Sequence, residues 1–181
     1  MALPKNKRKK TIDDIAALTN GQRAELIDGK IYYISPPSIR HQEIISRLSE
    51  IINSFINGKN KNYKIFTSPF PVYISNDKKN YVEPDLSIIC NESKLKDNKC
   101  FGAPDWIIEV VSPRSKWTDY CAKLIKYHHS GVREYWITDH AERTVTIYNF
   151  ENETFNQYTF NDKIPSWILD NFEIDFSEIQ I

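Results

Sequence analysis

The chain has 181 residues, and its 24 Lys plus Arg balance 24 Asp plus Glu to a formal net charge of zero. That balance excludes a strongly cationic body that coats nucleic acid without discrimination, while 40% hydrophobic and 13% aromatic content excludes a chain disordered throughout. The length suits one ordinary domain, no stretch approaches the roughly 18 apolar residues a membrane helix needs, and five glycines leave little material for a phosphate-cradling loop.

Residues 5–10 carry five positive charges, on Lys5, Lys7, Arg8, Lys9 and Lys10. They read as a basic disordered tail over 1–10, either a solvated terminus or a phosphate-binding arm, ahead of a single domain over 11–181. The polar Thr11-Ile12-Asp13-Asp14 that follows argues against a signal peptide. Thr11 is placed to cap a short helix over 12–18. Segments 24–27 and 30–34 flank Asp28-Gly29, a strong hairpin signal. After Pro36-Pro37-Ser38, apolar residues at Ile44, Ile45, Leu48, Ile51, Ile52, Phe55 and Ile56 predict an amphipathic helix ending at Gly58. Short β-type runs follow at 63–67 and 70–74.

Segments 85–90 and 106–111 differ: each is a nearly continuous apolar run holding one acid, as strands buried on both faces do. Ser112-Pro113 closes the second, and a helix is expected over 115–130, stopped by Gly131. Segments 132–138, 143–150 and 154–160 read as an antiparallel meander. Trp106, Trp136, Tyr135 and Tyr148 read as core or interface aromatics. The order implies an α/β (α+β) sandwich without internal repeats. Cys90, Cys100 and Cys121 form no C-x-x-C pair, which disfavours a zinc site or disulfide framework and suits a cytoplasmic protein.

A carboxylate inside a buried strand is costly unless it is paired, hydrogen-bonded or bound to metal. Glu109 sits in such a strand, Asp85 heads another, and Glu25 precedes the hairpin. For Glu109 alone, a salt bridge at a sheet end explains the residue equally well. Two carboxylates at the ends of adjacent strands, however, would form an oxygen-rich pocket suited to Mg²⁺ or Mn²⁺. Asp119, Lys123 and Tyr127 recur at four-residue steps and share one helix face, offering a cation; an ordinary Asp–Lys surface pair has the same spacing. His41 opens the long helix, as a proton shuttle, a phosphate contact or a structural histidine.

Pro84-Asp85-Leu86-Ser87, Gly102-Ala103-Pro104-Asp105, Ile108-Glu109-Val110-Val111-Ser112-Pro113 and Gly131-Val132-Arg133-Glu134-Tyr135-Trp136 occur in that order. Upstream stand Glu25-Leu26-Ile27-Asp28-Gly29 and Ser35-Pro36-Pro37-Ser38. Together, over about residues 20–150, they resemble the Uma-type family of restriction endonucleases, within the PD-(D/E)XK nuclease superfamily. The resemblance implies a restriction-endonuclease-like core, a mixed central sheet flanked by helices, with the C-terminal meander added. It implies that Asp85 and Glu109 bind Mg²⁺ (or Mn²⁺), with the Val110 backbone carbonyl completing the site and Glu25 as a further ligand. The superfamily's lysine position is vacant at Val111, and Lys123 on the next helix is the replacement, because only the ammonium's position matters.

The implied function is metal-dependent phosphodiester hydrolysis by a DNA endonuclease, in which Asp85, Glu109 and Lys123 are catalytic and His41, Asp119 and Tyr127 accessory. The vacant position also suits a nuclease-fold module without catalysis that binds nucleic acid or protein. The aromatic strands over 132–160 are a surface on which a homodimer could form. Charge is uneven: residues 112–133 hold five basic residues against Asp119, whereas 134–181 hold two basic and ten acidic. The basic excess directly follows the expected metal strand, where a phosphate backbone would lie.

Overall fold

The structure, a computed structural model, describes residues 8–19, 21–59 and 62–179. A short helix α1 (Ile12–Ala16), capped by Thr11 and Asp14, leads to the hairpin β1 (Ala24–Ile27) and β2 (Lys30–Tyr33). Its turn residues Asp28 and Gly29 have φ of 51° and 79°, the paired positive values that match a hairpin turn to strand twist. The end of the expected basic tail is pinned to this turn: Lys10 N–H donates to the Gly29 carbonyl, and Arg8 and Lys10 both reach Asp14. Residues 8–10 of the expected tail thus meet the hairpin and α1, and the rest of it, 1–7, lies outside the described residues.

The long helix α2 (Ile39–Gly58) begins at Ser38, whose hydroxyl accepts the His41 N–H at 3.2 Å. It is followed by β3 (Lys64–Thr67), β4 (Val72–Tyr73), β5 (Leu86–Ile89), β6 (Leu95–Lys96), β7 (Lys99–Phe101) and β8 (Trp106–Val110). A π-helical stretch, Thr118–Lys123, runs into α3 (Leu124–Ser130). The chain then forms β9 (Glu134–Asp139), β10 (Thr144–Asn149), β11 (Thr154–Thr159), β12 (Lys163–Pro165) and β13 (Glu173–Asp175).

The central sheet has the order β11-β10-β9-β8-β5-β3. Only the β8–β9 pair in it is parallel, joined across α3; every other neighbour is antiparallel. The sheet is therefore mixed, and β9-β10-β11 is the expected meander. Trp106, Ile108 and Val110 of β8 face one apolar layer with Ile44, Leu48 and Ile52 of α2 and with Phe176. Ile107 and Val111 face the other layer, with Ile27, Tyr127 and Tyr135. Burial on both sides explains the uninterrupted apolar run, and alternation puts Glu109 on the side of Ile107, under α3.

A three-stranded sheet β4-β7-β6 and the pair β12–β13 add to this frame. Glu134 ties the second of these to the core: it accepts from Trp136 Nε1, Ser166 Oγ and the backbone N–H groups of Trp167 and Ile168. Among the described residues no helix is long and apolar enough to cross a membrane.

Candidate active site

Antiparallel pairing of Leu86 with Ile108 brings the residue before β5 beside the end of β8. Asp85 Oδ2 accepts the Val110 N–H at 2.8 Å, and Asp85 N–H points at Glu109 Oε2 at 3.5 Å. Glu109 is 3% exposed and divides its two oxygens between different tasks. Oε1 accepts from Lys123 Nζ at 2.9 Å and from the Tyr127 hydroxyl at 2.8 Å. Oε2 turns to Asp85, where the contact is long.

Lys123 lies at the centre of an acidic cluster. Its ammonium is 2.9 Å from Glu25 Oε2, 2.9 Å from Glu109 Oε1 and 3.5 Å from Asp119 Oδ1, and the side chain is only 6% exposed. Glu25 reaches it from β1 and is braced by the Glu83 N–H on its other oxygen at 2.9 Å. Asp119, Lys123 and Tyr127 all face inward, as their spacing predicts, but through a π turn rather than a plain α-helix. An α-helix overshoots a full turn in four residues, and the wider π turn falls short of one, so the two together keep the three side chains on one line.

Burial works against the Lys123 ammonium, yet Glu109, Glu25 and Asp119 hold its pKa well above the ordinary lysine value. One cation here faces three buried carboxylates. Burial pushes Glu109 well upward against the pull of Lys123, and lifts Asp119 to about 6. Tyr127, buried against Glu109, is held as the neutral phenol far past its usual range.

His41 meets the site from α2. Its Nε2 is 3.2 Å from Asp85 Oδ2. Burial opposes a charged imidazole, but Asp85 raises the His41 pKa above its ordinary value. The structure thus brings Glu25, His41, Asp85, Glu109, Asp119, Lys123 and Tyr127 together, with the Val110 N–H bonded to Asp85. Among the described residues no three His, Cys, Asp or Glu side chains form a metal-holding group. The oxygens available are Glu109 Oε2, the Asp85 carboxylate and the Val110 carbonyl, a hard set that fits Mg²⁺ or Mn²⁺. Glu25 Oε2 contacts Lys123 and Oε1 accepts the Glu83 N–H, so in this arrangement Glu25 supports Lys123.

Trp106, Trp136 and Tyr135 are core residues, each 0% exposed. Trp117 is not: it is 60% exposed and stacks on Tyr32 beside the cluster. Nothing in the sequence pattern distinguishes it, because Tyr32 and Trp117 are far apart in the chain and meet only through the fold.

Residues 12–179 match the family model Uma2, described as "Putative restriction endonuclease". A Synechocystis sp. protein named "Uncharacterized protein slr1290" is 26% identical over 129 residues, 71% of this chain. The aligned region spans 66% of that relative, just under two thirds of its length. A solved structure from Anabaena variabilis, titled a "putative nuclease belonging to DUF820", superposes with a TM-score of 0.76 over 93% of this chain and 96% of that one. At 21% identity this likeness speaks for the fold, which is the nuclease-type fold expected from the motifs. With the family model covering nearly its whole length, the chain belongs to the Uma2 family.

Proposed function

We propose that this protein is a metal-dependent phosphodiester hydrolase, an endonuclease that cuts DNA. The observation that carries the reading is the divided role of Glu109: one oxygen is locked to Lys123 and Tyr127, and the other is turned toward Asp85. Asp85, Glu109 Oε2 and the Val110 carbonyl would hold Mg²⁺ or Mn²⁺. A metal there lowers the pKa of a bound water and offsets charge at the phosphodiester under attack.

The protein's own groups have distinct tasks. Tyr127 and Lys123 fix the Glu109 carboxylate in one rotamer and so fix the distance between the two acids. Glu25 and Asp119 hold the Lys123 ammonium, which would stabilise charge built up in an in-line displacement. His41 Nε2 lies 3.2 Å from Asp85 Oδ2, one of the atoms proposed as ligands, and so pre-orients that carboxylate. The free thiols of Cys90, Cys100 and Cys121 suit a cytoplasmic protein. Strand β11, at the edge of the central sheet with Phe155 67% exposed, is the surface on which a homodimer would pair.

The alternative, a nuclease fold that binds without cutting, draws on the vacant lysine position at Val111 and the small number of carboxylates free to bind metal. A cleavage panel separates the two. Single-stranded, duplex and structured DNA and RNA are incubated with Mg²⁺ or Mn²⁺, using wild type, Asp85→Ala and Lys123→Ala. Cleavage by wild type that both substitutions abolish supports the endonuclease. Binding without cleavage under every condition supports the module.

A further inference from the structure

We propose that Lys30, Tyr32 and Trp117 form a platform that stacks an unpaired nucleobase next to the cluster, making single-stranded or splayed nucleic acid the substrate class. The inference deepens the nuclease reading and rests on it. The Tyr32 and Trp117 rings are nearly parallel, 23° apart with centroids separated by 6.5 Å. The Lys30 ammonium lies 4.7 Å from the centre of one ring and 5.3 Å from the centre of the other. Trp117 keeps 60% of its surface exposed although Trp106 and Trp136 are wholly buried. The core therefore does not account for it.

The platform's place is set by register and chain order. Tyr32 is the cross-strand partner of Glu25, so both project from the same face of the hairpin, and Glu25 ends on Lys123. Trp117 lies immediately before the π turn that carries Asp119 and Lys123. The charge here also differs from the rest of the surface. Lys116, beside Trp117, is taken up by Asp139 and Glu142. Lys30, Arg40 and Arg114, by contrast, have no ion-pair partner among the described residues; Arg114 bonds the neutral Ser35 hydroxyl at 2.9 Å. Arg40 adjoins His41 and Arg114 follows Pro113 at the exit of the β8 segment. Cations without an ion-pair partner on three segments near the site suit a phosphate backbone, and the 60% exposure of Trp117 suits stacking on a base. A base inside a duplex has both faces covered by its neighbours, so only an unpaired one can stack there.

The test measures binding without cleavage, in EDTA, by fluorescence anisotropy of labelled oligothymidylate, oligouridylate and a blunt DNA duplex. Wild type, Trp117→Ala, Trp117→Phe and Lys30→Ala are compared after circular dichroism shows each is folded. Trp117→Ala is expected to weaken single-strand binding roughly tenfold, the size of one base–aromatic stack. Trp117→Phe should recover most of that loss, and duplex binding should not change. Unchanged single-strand affinity in Trp117→Ala, or an equal loss on the duplex, overturns the platform while leaving the nuclease reading in place. Wild type that binds no oligonucleotide under these conditions overturns the platform, and the cleavage panel decides the nuclease reading separately.

Discussion

Replacing Lys123 with Met keeps most of the side chain's packing and removes the one ammonium among Glu25, Glu109 and Asp119. At 2.9 Å each of the two closest pairs is worth roughly 6 kcal/mol in an effective dielectric of about 20. Most of that attraction is offset by the desolvation of the ions, and removing one partner of a buried pair costs about 3–5 kcal/mol net. Against a domain stability of about 5–15 kcal/mol, the loss brings the variant near unfolding at neutral pH. The deficit should depend on pH. Burial already raises Glu109 and Asp119, the latter to about 6, and without Lys123 both rise further. The folded variant then binds more protons than the unfolded chain, so its stability falls as pH rises. Urea unfolding followed by tryptophan fluorescence in metal-free buffer at pH 5 and pH 8 reads both quantities. A deficit under about 1 kcal/mol at pH 8, or one equal at both pH values, would refute the view that Lys123 is the counter-charge that offsets the buried carboxylates.

Asp119→Asn should act in the opposite direction. A carboxyl raised from 3.8 to about 6 by burial holds its proton more tightly when folded, so its share of metal-free stability falls by about 3 kcal/mol in all as pH rises from well below 3.8 to well above 6. Thermal melts of the Asn variant should lack that slope and exceed wild type above pH 6. Glu134→Ala strips the acceptor from Trp167 and Ile168 N–H, and hydrogen exchange should show those amides losing protection while α2 keeps its own. Manganese should raise the wild-type melting temperature and give a bound-ion electron paramagnetic resonance signal; both effects should vanish in Asp85→Ala, and their persistence there would move the metal elsewhere.

The parts of this fold that follow from local rules are visible in the sequence. The β8 run with a single acid, the Asp28-Gly29 turn and the apolar stripe of α2 each encode their own burial through period or dihedral preference. The convergence of Asp85, Glu109 and Lys123 was legible because adjacent strands and a four-residue helical step constrain where side chains point. The π turn was not, since it leaves the residue pattern of an ordinary helix unchanged. Nor was the pairing of His41 with Asp85 or of Tyr32 with Trp117, which depends on how separate elements pack. The strands β6, β7, β12 and β13, two or three residues each, are too short to carry a period.

Nicking of supercoiled plasmid tests the central claim most directly. Wild type, Asp85→Asn and Glu109→Gln are assayed across a Mg²⁺ titration, with melting curves showing that each variant is folded. The account predicts Mg²⁺-dependent nicking by wild type, silenced by EDTA and lost in both folded variants. Nicking that persists in EDTA, or in folded Asp85→Asn, would contradict it.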